Sequence, residues 1–251
     1  MTTYARPDSI FNVREHGAAG DGQTLDAYAI QAAIEACAER GGGTVYLPAG
    51  RYLTGSLFLR DNITLHLDAG AMIRGSERPE DYPVIHSRWE GRHQDTYAPL
   101  IGGDHLRNIS VTGRGTIDGR GAVWWQAKKE KTLAHPRPRL LSFSDCSNVL
   151  IEGITAINSP SWTINPVHCE NVNIRGITVI NPADSPNTDG INPDSCRLVR
   201  ISDCYVSVGD DCITIKSGTE HEHPDRYAPC RDITITNCTL ERGHGGVVIG
   251  S

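Results

Sequence analysis

Four stretches of the sequence repeat one phrase that begins with cysteine: CSNVLIEGIT (146–155), CENVNIRGIT (169–178), CRLVRISDCY (196–205) and CRDITITNCT (230–239). Related phrases without the cysteine come earlier, at DNITLHLDAG (61–70) and LRNISVTGRG (106–115). Apolar and polar residues alternate within each phrase, which is the period of a β-strand. The first two intervals between the opening cysteines are similar in length, and the third, from Cys196 to Cys230, is the longest. Strand phrases that recur at such intervals are typical of a solenoid in which each repeat forms one coil.

A coil of this length cannot bury its apolar side chains alone, so coils must stack about 4.8 Å apart and pair their backbones. We expect Ile, Val and Cys to point inward in columns, and inward Asn side chains to hydrogen-bond along the stack. The sequence therefore predicts an all-β, parallel β-helix fold. The longest interval predicts an insertion near residues 221–226, and such insertions form loops on one side of a solenoid.

The segment Asp26–Arg40 predicts a helix that caps the open N-terminal end of the solenoid. Its residues Ile30, Ala33, Ile34, Cys37 and Ala38 share one helical stripe, and the glycines at 41–43 end the helix. That glycine run follows a helix and lacks a GK[ST] ending, so it does not indicate a phosphate loop. We expect residues 1–60 to form the cap and first strands, and residues 61–251 to form the coils of one continuous domain.

Residues 74–104 depart from the repeat and predict a long excursion. The segment carries Arg88, Trp89, Arg92, His93 and Tyr97. It is either a packed surface loop or a wall of a substrate cleft, since long loops on rigid scaffolds often carry binding groups.

Composition excludes several classes of protein. The 251 residues are 38% hydrophobic and 22% charged, as in a folded soluble domain, and no apolar run approaches the ~18 residues that cross a bilayer. No signal-type stretch begins the chain, so we expect an intracellular, cytoplasmic protein with no membrane partner. The formal charge of −6 argues against nucleic acid and means that an acidic substrate needs local cations.

The eight cysteines form no CxxC pair and no zinc-finger spacing with histidine. We therefore expect buried free thiols in a reducing compartment, and neither a metal nor a cofactor.

Three short segments stand apart from the repeat: NTDG (187–190), GDD (209–211) and GHG (243–245). Asp211 follows Asp189 after about one coil, and His244 follows Asp211 after about one coil plus the insertion. Equivalent positions on successive coils stack, so the segments would share one patch of surface. Glycoside hydrolysis needs such a set, because one carboxylic acid protonates the leaving oxygen while another carboxylate activates water or attacks the sugar.

Each segment alone is more typical of a turn, since Asp, Asn and Gly favour tight bends. All three in order at coil spacing indicate a site, in which crowding should raise the pKa of at least one carboxyl. Asp210 and Asp211 are adjacent, however, and in a flat strand they would point to opposite faces. Both can face a substrate only if the backbone bends there.

In these motifs, and in SPSW (159–162), NPDS (192–195) and DDCITIKSG (210–218), the chain resembles glycoside hydrolase family 28, the polygalacturonases. The resemblance implies a single-stranded right-handed parallel β-helix of the pectin-lyase-like type. It further implies inverting hydrolysis of α-1,4-galacturonosidic bonds in polygalacturonate or oligogalacturonides. Asp210 would be the general acid, Asp189 and Asp211 would activate the water, and His244 would support the acid. Inversion predicts that acid and base lie roughly 6.5–9.5 Å apart.

The family's Arg-x-Lys pair, which grips the substrate carboxylate, is absent from the sequence, and we expect the chain to be a fragment cut off before it. Candidate substrate-binding residues are Asn187, Lys216, Arg242, His168 and Trp89, although Lys216 and Arg242 are equally typical of solvated surface charges. Residues 86–103 resemble bacterial exo-type members, which suggests trimming of oligogalacturonides from one end.

Three other functions remain open. A hydrolase of rhamnogalacturonan or xylogalacturonan would keep the fold and the chemistry but change the sugar. A pectate lyase-like enzyme would need a calcium ion and a basic residue that these motifs do not supply. A non-catalytic carbohydrate-binding or structural solenoid would have no need to crowd carboxylates. The sequence does not predict the oligomeric state.

Overall fold

The computed structural model describes residues 9–219 and 227–250. Parallel strands stack into three long sheets that the chain visits in turn. The first sheet contains β1 (Ile10–Asn12), β3 (Gly43–Leu47), β6 (Ile63–Leu67), β11 (Arg107–Gly113), β14 (Ser147–Glu152), β17 (Glu170–Arg175), β19 (Arg197–Ser202) and β22 (Arg231–Thr236). The second contains β2 (Asp21–Leu25), β4 (Gly50–Thr54), β7 (Ala71–Gly75), β12 (Thr116–Asp118), β15 (Thr155–Ile157), β18 (Thr178–Ile180), β20 (Tyr205–Ser207) and β23 (Thr239–Arg242).

The third sheet carries the site described below. Its strands are β5 (Leu57–Phe58), β10 (Ile101–Asp104), β13 (Leu141–Ser144), β16 (Ile164–Val167), β21 (Ile213–Ile215) and β24 (Val247–Ile249). Single bridges at Ile191 and Asp194 connect β16 to β21. Each coil after the first thus contributes one short strand or bridge to each of these three sheets, and the predicted right-handed parallel β-helix is confirmed.

The core consists of columns of identical positions on successive coils. Val149 pairs with Val172, which pairs with Val199, and all three are buried. The cysteines that open the repeats stack in the same way, because the Cys169 amide donates to Cys196 Sγ at 3.4 Å and the Cys196 amide donates to Cys230 Sγ at 3.2 Å. All eight thiols are free.

A ladder of asparagine amides also runs along the stack, but on its outside. Asn108 donates to Asn62, Asn148 to Asn108 and Asn171 to Asn148, at 2.7–2.9 Å. These residues lie at the start of strands of the first sheet, where the backbone has a positive φ of 57–61° that Asn tolerates. Buried asparagines also hydrogen-bond between coils, as predicted, since Asn165 donates to the Asn192 carbonyl and Asn181 accepts from the Ser159 amide, both at 2.8 Å.

The predicted cap is confirmed as α1 (Ala27–Glu39), which buries Ile30, Ala33, Ile34 and Cys37 against the first coils. The Asp26 carboxylate holds the preceding turn by accepting from the amides of Ala19 and Gly20. A second helix, α2 (Ala122–Glu130), and two 3-10 turns (Val13–His16 and Pro79–Asp81) lie between strands. Over the described residues, no helix has both the length and the apolar character needed to span a bilayer.

The predicted excursion is shorter than expected, because β7 extends to residue 75 and β10 begins at residue 101. Within it, β8 (Val84–Trp89) and β9 (Arg92–Tyr97) form an antiparallel hairpin with Glu90 and Gly91 at the tip. The insertion predicted at residues 221–226 lies outside the described residues.

Candidate active site

Asp189 and Asp211, which the sequence spaces about one coil apart, occupy one position on neighbouring coils. The Gly190 amide donates to the Asp211 carbonyl at 2.9 Å, and the Thr163 amide donates to the Asp189 carbonyl at 2.9 Å. Trp162, Asp189 and Asp211 therefore stack in one column. His244 stacks on Asp210 in the adjacent column, since its amide donates to the Asp210 carbonyl at 2.9 Å.

The backbone bend that Asp210 and Asp211 require lies between β20 and β21, where residues 208–212 leave the strand geometry. Gly209 permits this bend, because a Cβ there would lie 2.4 Å from the Ser185 carbonyl oxygen and 2.5 Å from that of Pro182. Both aspartates consequently face one cavity of about 380 Å³. Other residues of its lining are Arg88, Glu90, Gly91, Trp162, Asn187, Asp189, Asp194, Lys216, Ser217, Gly218, Val248, Ile249 and Gly250.

The carboxylates of Asp189, Asp210 and Asp211 form a tight cluster, hereafter the carboxylate cluster, in which one oxygen of each lies within 4.8 Å of the others. Thr214 Oγ1 lies 3.3 Å from Asp189 Oδ2 and 3.5 Å from Asp211 Oδ2, beside the column that these two share. Coil spacing and direct adjacency along the chain bring these oxygens close together.

Within the cluster, Asp210 has a raised pKa. Burial is the largest cause, and the negative charges of Asp189 and Asp211 add to it, while the charge of His244 opposes it. His244 Nδ1 lies 3.3 Å from Asp210 Oδ1, and the His244 side chain is 73% exposed. A carboxyl that keeps its proton to higher pH suits an acid catalyst.

Lys216 places a positive charge in the carboxylate cluster. Its Nζ lies 3.2 Å from Asp189 Oδ2 and 4.3 Å from the centre of the Trp162 ring, so an ion pair and a cation–π contact hold it. Lys216 is buried and is not a solvated surface charge. The sequence left open whether Lys216 binds substrate or is a solvated surface charge, and it did not predict the contact with Trp162.

Asn187, the first residue of the NTDG motif, also lines the cavity. Its Oδ1 accepts hydrogen bonds from Arg137, at 2.7 Å, and from the Lys128 ammonium. Arg137 is buried and also donates to the carbonyls of Pro160 and Pro186 at 2.8 Å. Two cations from the segment before β13 therefore fix the amide of Asn187 at the edge of the site.

Three predicted substrate-binding residues lie outside this cavity. The Trp89 ring is buried and stacks on Trp162 with 4.8 Å between centroids, because the hairpin packs on the coils through this pair. His168 lines a second cavity of about 390 Å³ under the hairpin. Arg242 donates to the Asn181 carbonyl at 3.1 Å and is not part of the lining of the carboxylate cavity.

A buried ion pair that the sequence did not predict separates the two cavities. Arg88 Nη1 lies 2.6 Å from Asp194 Oδ1 and 3.0 Å from Ser195 Oγ, and the side chains of the pair are 4% and 6% exposed. Arg88 is part of the lining of both cavities. The NPDS motif pointed to Asp194, but nothing in the sequence indicated a partner from a segment so much earlier in the chain.

Within residues 9–219 and 227–250, two groups of side chains have the spacing of a possible metal site. The carboxylate cluster is one, and Asp104, His105 and Asp145 form the other, again with one ligand atom of each within 4.8 Å of the others. Hard divalent cations prefer such oxygen ligands. In the first group, Lys216 already provides a positive charge beside Asp189.

Comparison with known proteins shows that most of the chain is similar to one protein family. The model of glycosyl hydrolases family 28 matches residues 37–251. A probable polygalacturonase of Vitis vinifera is 38% identical over 243 residues, which cover 93% of this chain and 50% of the relative. The chain thus spans about half the length of the curated relatives it matches.

Two solved structures are similar throughout the chain. An exopolygalacturonase from Thermotoga maritima has a TM-score of 0.88 at 34% identity, covering 98% of this chain and 63% of that one. The family 28 exopolygalacturonase of Yersinia enterocolitica has a TM-score of 0.89 at 29% identity, covering 99% and 51%.

Proposed function

The chain belongs to glycosyl hydrolases family 28, and we propose that the protein hydrolyses α-1,4-galacturonosidic bonds in polygalacturonate or its oligomers. The observation that carries this proposal is the carboxylate cluster, in which one carboxyl with a raised pKa lies beside two others. Polygalacturonases and exopolygalacturonases among the relatives support the substrate class.

In the proposed reaction, Asp210 donates its proton to the glycosidic oxygen as the bond to the leaving sugar breaks. Asp189 and Asp211 share a column beside Asp210 and together orient and deprotonate the attacking water. His244 lies against the Asp210 carboxylate and stabilises it once the proton has left. We propose inversion at the anomeric carbon, with the water held by the Asp189–Asp211 column. Proton NMR of the first product formed tests this, and a retained anomer would refute it.

We also propose that the protein acts from one end of its substrate. The hairpin of β8 and β9 lies across the third sheet, and the Arg88–Asp194 ion pair closes the carboxylate cavity on the side of the earlier coils. A chain in the cavity therefore could not extend toward His168. Release of monogalacturonate as the first product from a defined oligomer would support this, whereas mid-sized fragments before monomer would contradict it.

The main test replaces the proposed acid. Asp210→Asn keeps the size of the side chain but removes its proton donor, so we expect the release of reducing ends from polygalacturonate to fall by about 10²–10⁴. Asp184→Asn is the matched control, since Asp184 is exposed, lies near Asp189 in the chain and is not part of the cavity lining. Unchanged turnover in Asp210→Asn would refute the assignment. Activity of the wild-type protein on another pectic backbone alone would refute the proposed substrate.

We further propose that the protein works in a reducing compartment such as the cytoplasm. Six of the eight thiols are buried, and neighbouring coils bring their sulfur atoms close together in the core. Such stacked pairs are suited to reduced thiols that fill space as small apolar groups.

A further inference from the structure

We propose that a third cavity, distinct from the one lined by His168 and beside the carboxylate cluster, binds the carboxylate of another uronic acid unit of the same substrate chain. This cavity, hereafter the cationic cavity, is lined by Trp89, Glu90, Ala127, Lys128, Lys131, Leu133, Ala134, His135, Pro136 and Arg137. The proposal rests on the proposed function, because it assumes that the substrate is a polyuronate.

Charge sets the cationic cavity apart from the rest of the molecule. Its lining contains Lys128, Lys131 and Arg137 against one carboxylate, that of Glu90, whereas the whole chain has a formal charge of −6. A concave surface that gathers one sign of charge raises the local concentration of ligands of the opposite sign. Leu133 and Pro136 in the lining add apolar surface for a sugar ring, in the mixture of few polar and several apolar groups that ligand sites use.

The cationic cavity adjoins the carboxylate cavity through one shared residue, Glu90, and through the hydrogen bonds of Asn187. Glu90, at the tip of the hairpin, lines both cavities. Asn187 lines the carboxylate cavity and accepts hydrogen bonds from Lys128 and Arg137, which line the other. A substrate whose scissile bond lies at Asp210 would therefore place a neighbouring sugar within reach of these cations.

Lysines in the last turn of a helix are common, because they offset the helix dipole. Lys128 and Lys129 are both exposed, and Lys129 fits that description because it also lies outside the lining of the cationic cavity. Lys128 differs, because its ammonium contacts Asn187, which comes from a coil much later in the chain. Burial is the largest influence on the Lys128 pKa and lowers it, while the charges of Glu90 and Asp210 act in the opposite direction. The Lys128 ammonium is therefore close enough to Asp210 for the two charges to interact.

The test compares two neighbouring lysines. We expect Lys128→Met to raise the KM for an oligogalacturonate about tenfold with kcat within about twofold, because a contact made equally in ground and transition states is lost. Lys129→Met should leave both constants unchanged. Glu90→Gln should lower the KM, since it removes the carboxylate that competes for these cations. With an oligomer whose carboxylates are methyl-esterified, Lys128→Met and wild-type protein should give the same KM.

Two results would overturn the inference while leaving the proposed function intact. One is an equal KM for Lys128→Met, Lys129→Met and wild-type protein on the free acid. The other is a fall in kcat at constant KM in Lys128→Met, which would mean that Lys128 acts only by positioning Asn187. Failure of the wild-type protein to hydrolyse any oligogalacturonate would instead refute the proposed function. Thermal unfolding of each variant separates these outcomes from loss of the fold.

Discussion

The buried pair of Arg88 and Asp194 allows a quantitative prediction. Arg88→Met keeps much of the side-chain volume but leaves the Asp194 carboxylate buried without the guanidinium at 2.6 Å. Breaking a buried ion pair by removing one partner costs about 3–5 kcal/mol. Lys216 and His168 also act on Asp194, and Ser195 Oγ lies 3.1 Å from it, so we expect the lower end, about 3 kcal/mol of the free energy of unfolding.

The pH dependence of this loss follows from the Asp194 pKa. Burial raises it above its ordinary value of 3.8, and Arg88 is the largest opposing influence, so Arg88→Met raises it further. Above pH 3.8 the folded variant then binds more protons than the unfolded chain. Its free energy of unfolding therefore falls as the pH rises from 3.8 to the Asp194 pKa of the folded variant. We expect the deficit relative to wild-type protein to be larger at pH 7 than at pH 5.

Urea unfolding at both pH values measures the deficit. The double variant Arg88→Met/Asp194→Asn should recover part of the loss, since it removes the buried charge as well as its partner. A deficit below about 1 kcal/mol at pH 7, or one that grows toward pH 5, would refute the reasoning. The same variant opens the cavity toward His168, so mid-sized fragments should join monogalacturonate among its first products.

Further predictions concern the proposed acid, the chemistry and the thiol column. The alkaline limb of kcat/KM should report the raised Asp210 pKa, because Asp210 must be protonated to act. The His244 charge lowers this pKa, so His244→Gln should move that limb to higher pH. Activity should survive chelation and give no unsaturated, ultraviolet-absorbing products, and an elimination product would favour the lyase alternative. Cys196→Ser should cost roughly 1–3 kcal/mol in urea unfolding, because a more polar hydroxyl enters a fully buried site. Alkylation during lysis followed by mass spectrometry should find all eight thiols reduced.

The stacking of Asp189 with Asp211, and the position of His244 on the next coil, could be predicted because both depend on the length of a coil. Alternating strands fix which residues point inward, and backbone pairing between coils fixes the register, so a separation of one coil along the chain becomes vertical proximity. The sequence predicted a bend near Gly209, because Asp210 and Asp211 are adjacent and can face one substrate only if the backbone bends. It did not predict that the carbonyls of Pro182 and Ser185 lie too close to Gly209 for any side chain there.

The partners of the site could not be predicted, because they come from segments outside the repeat. Arg88 reaches Asp194 only after the hairpin folds back over coils that lie much later in the chain. Lys128 and Arg137 meet Asn187 from the segment between β12 and β13, where no periodicity gives the register. A signal was nonetheless present in PRPRL (136–140), where two arginines directly precede a buried strand. Arginines in such a position need buried acceptors, and Arg137 finds them in the carbonyls of Pro160 and Pro186 and the amide of Asn187.

The distribution of cations around the carboxylate cluster explains why Asp210 is the proposed acid. Asp189 is the more buried carboxyl, but Lys216 lies 3.2 Å from it, held in place by the Trp162 ring. Asp210 faces two carboxylates, and the cation that lies against it is the exposed His244, so its charged form is the costly one. Lys216→Met would remove a positive charge from the carboxylate cluster and so raise the Asp210 pKa further. We therefore expect the alkaline limb of kcat/KM to move to higher pH in Lys216→Met, and an unchanged profile would show that Lys216 does not influence the proton of Asp210.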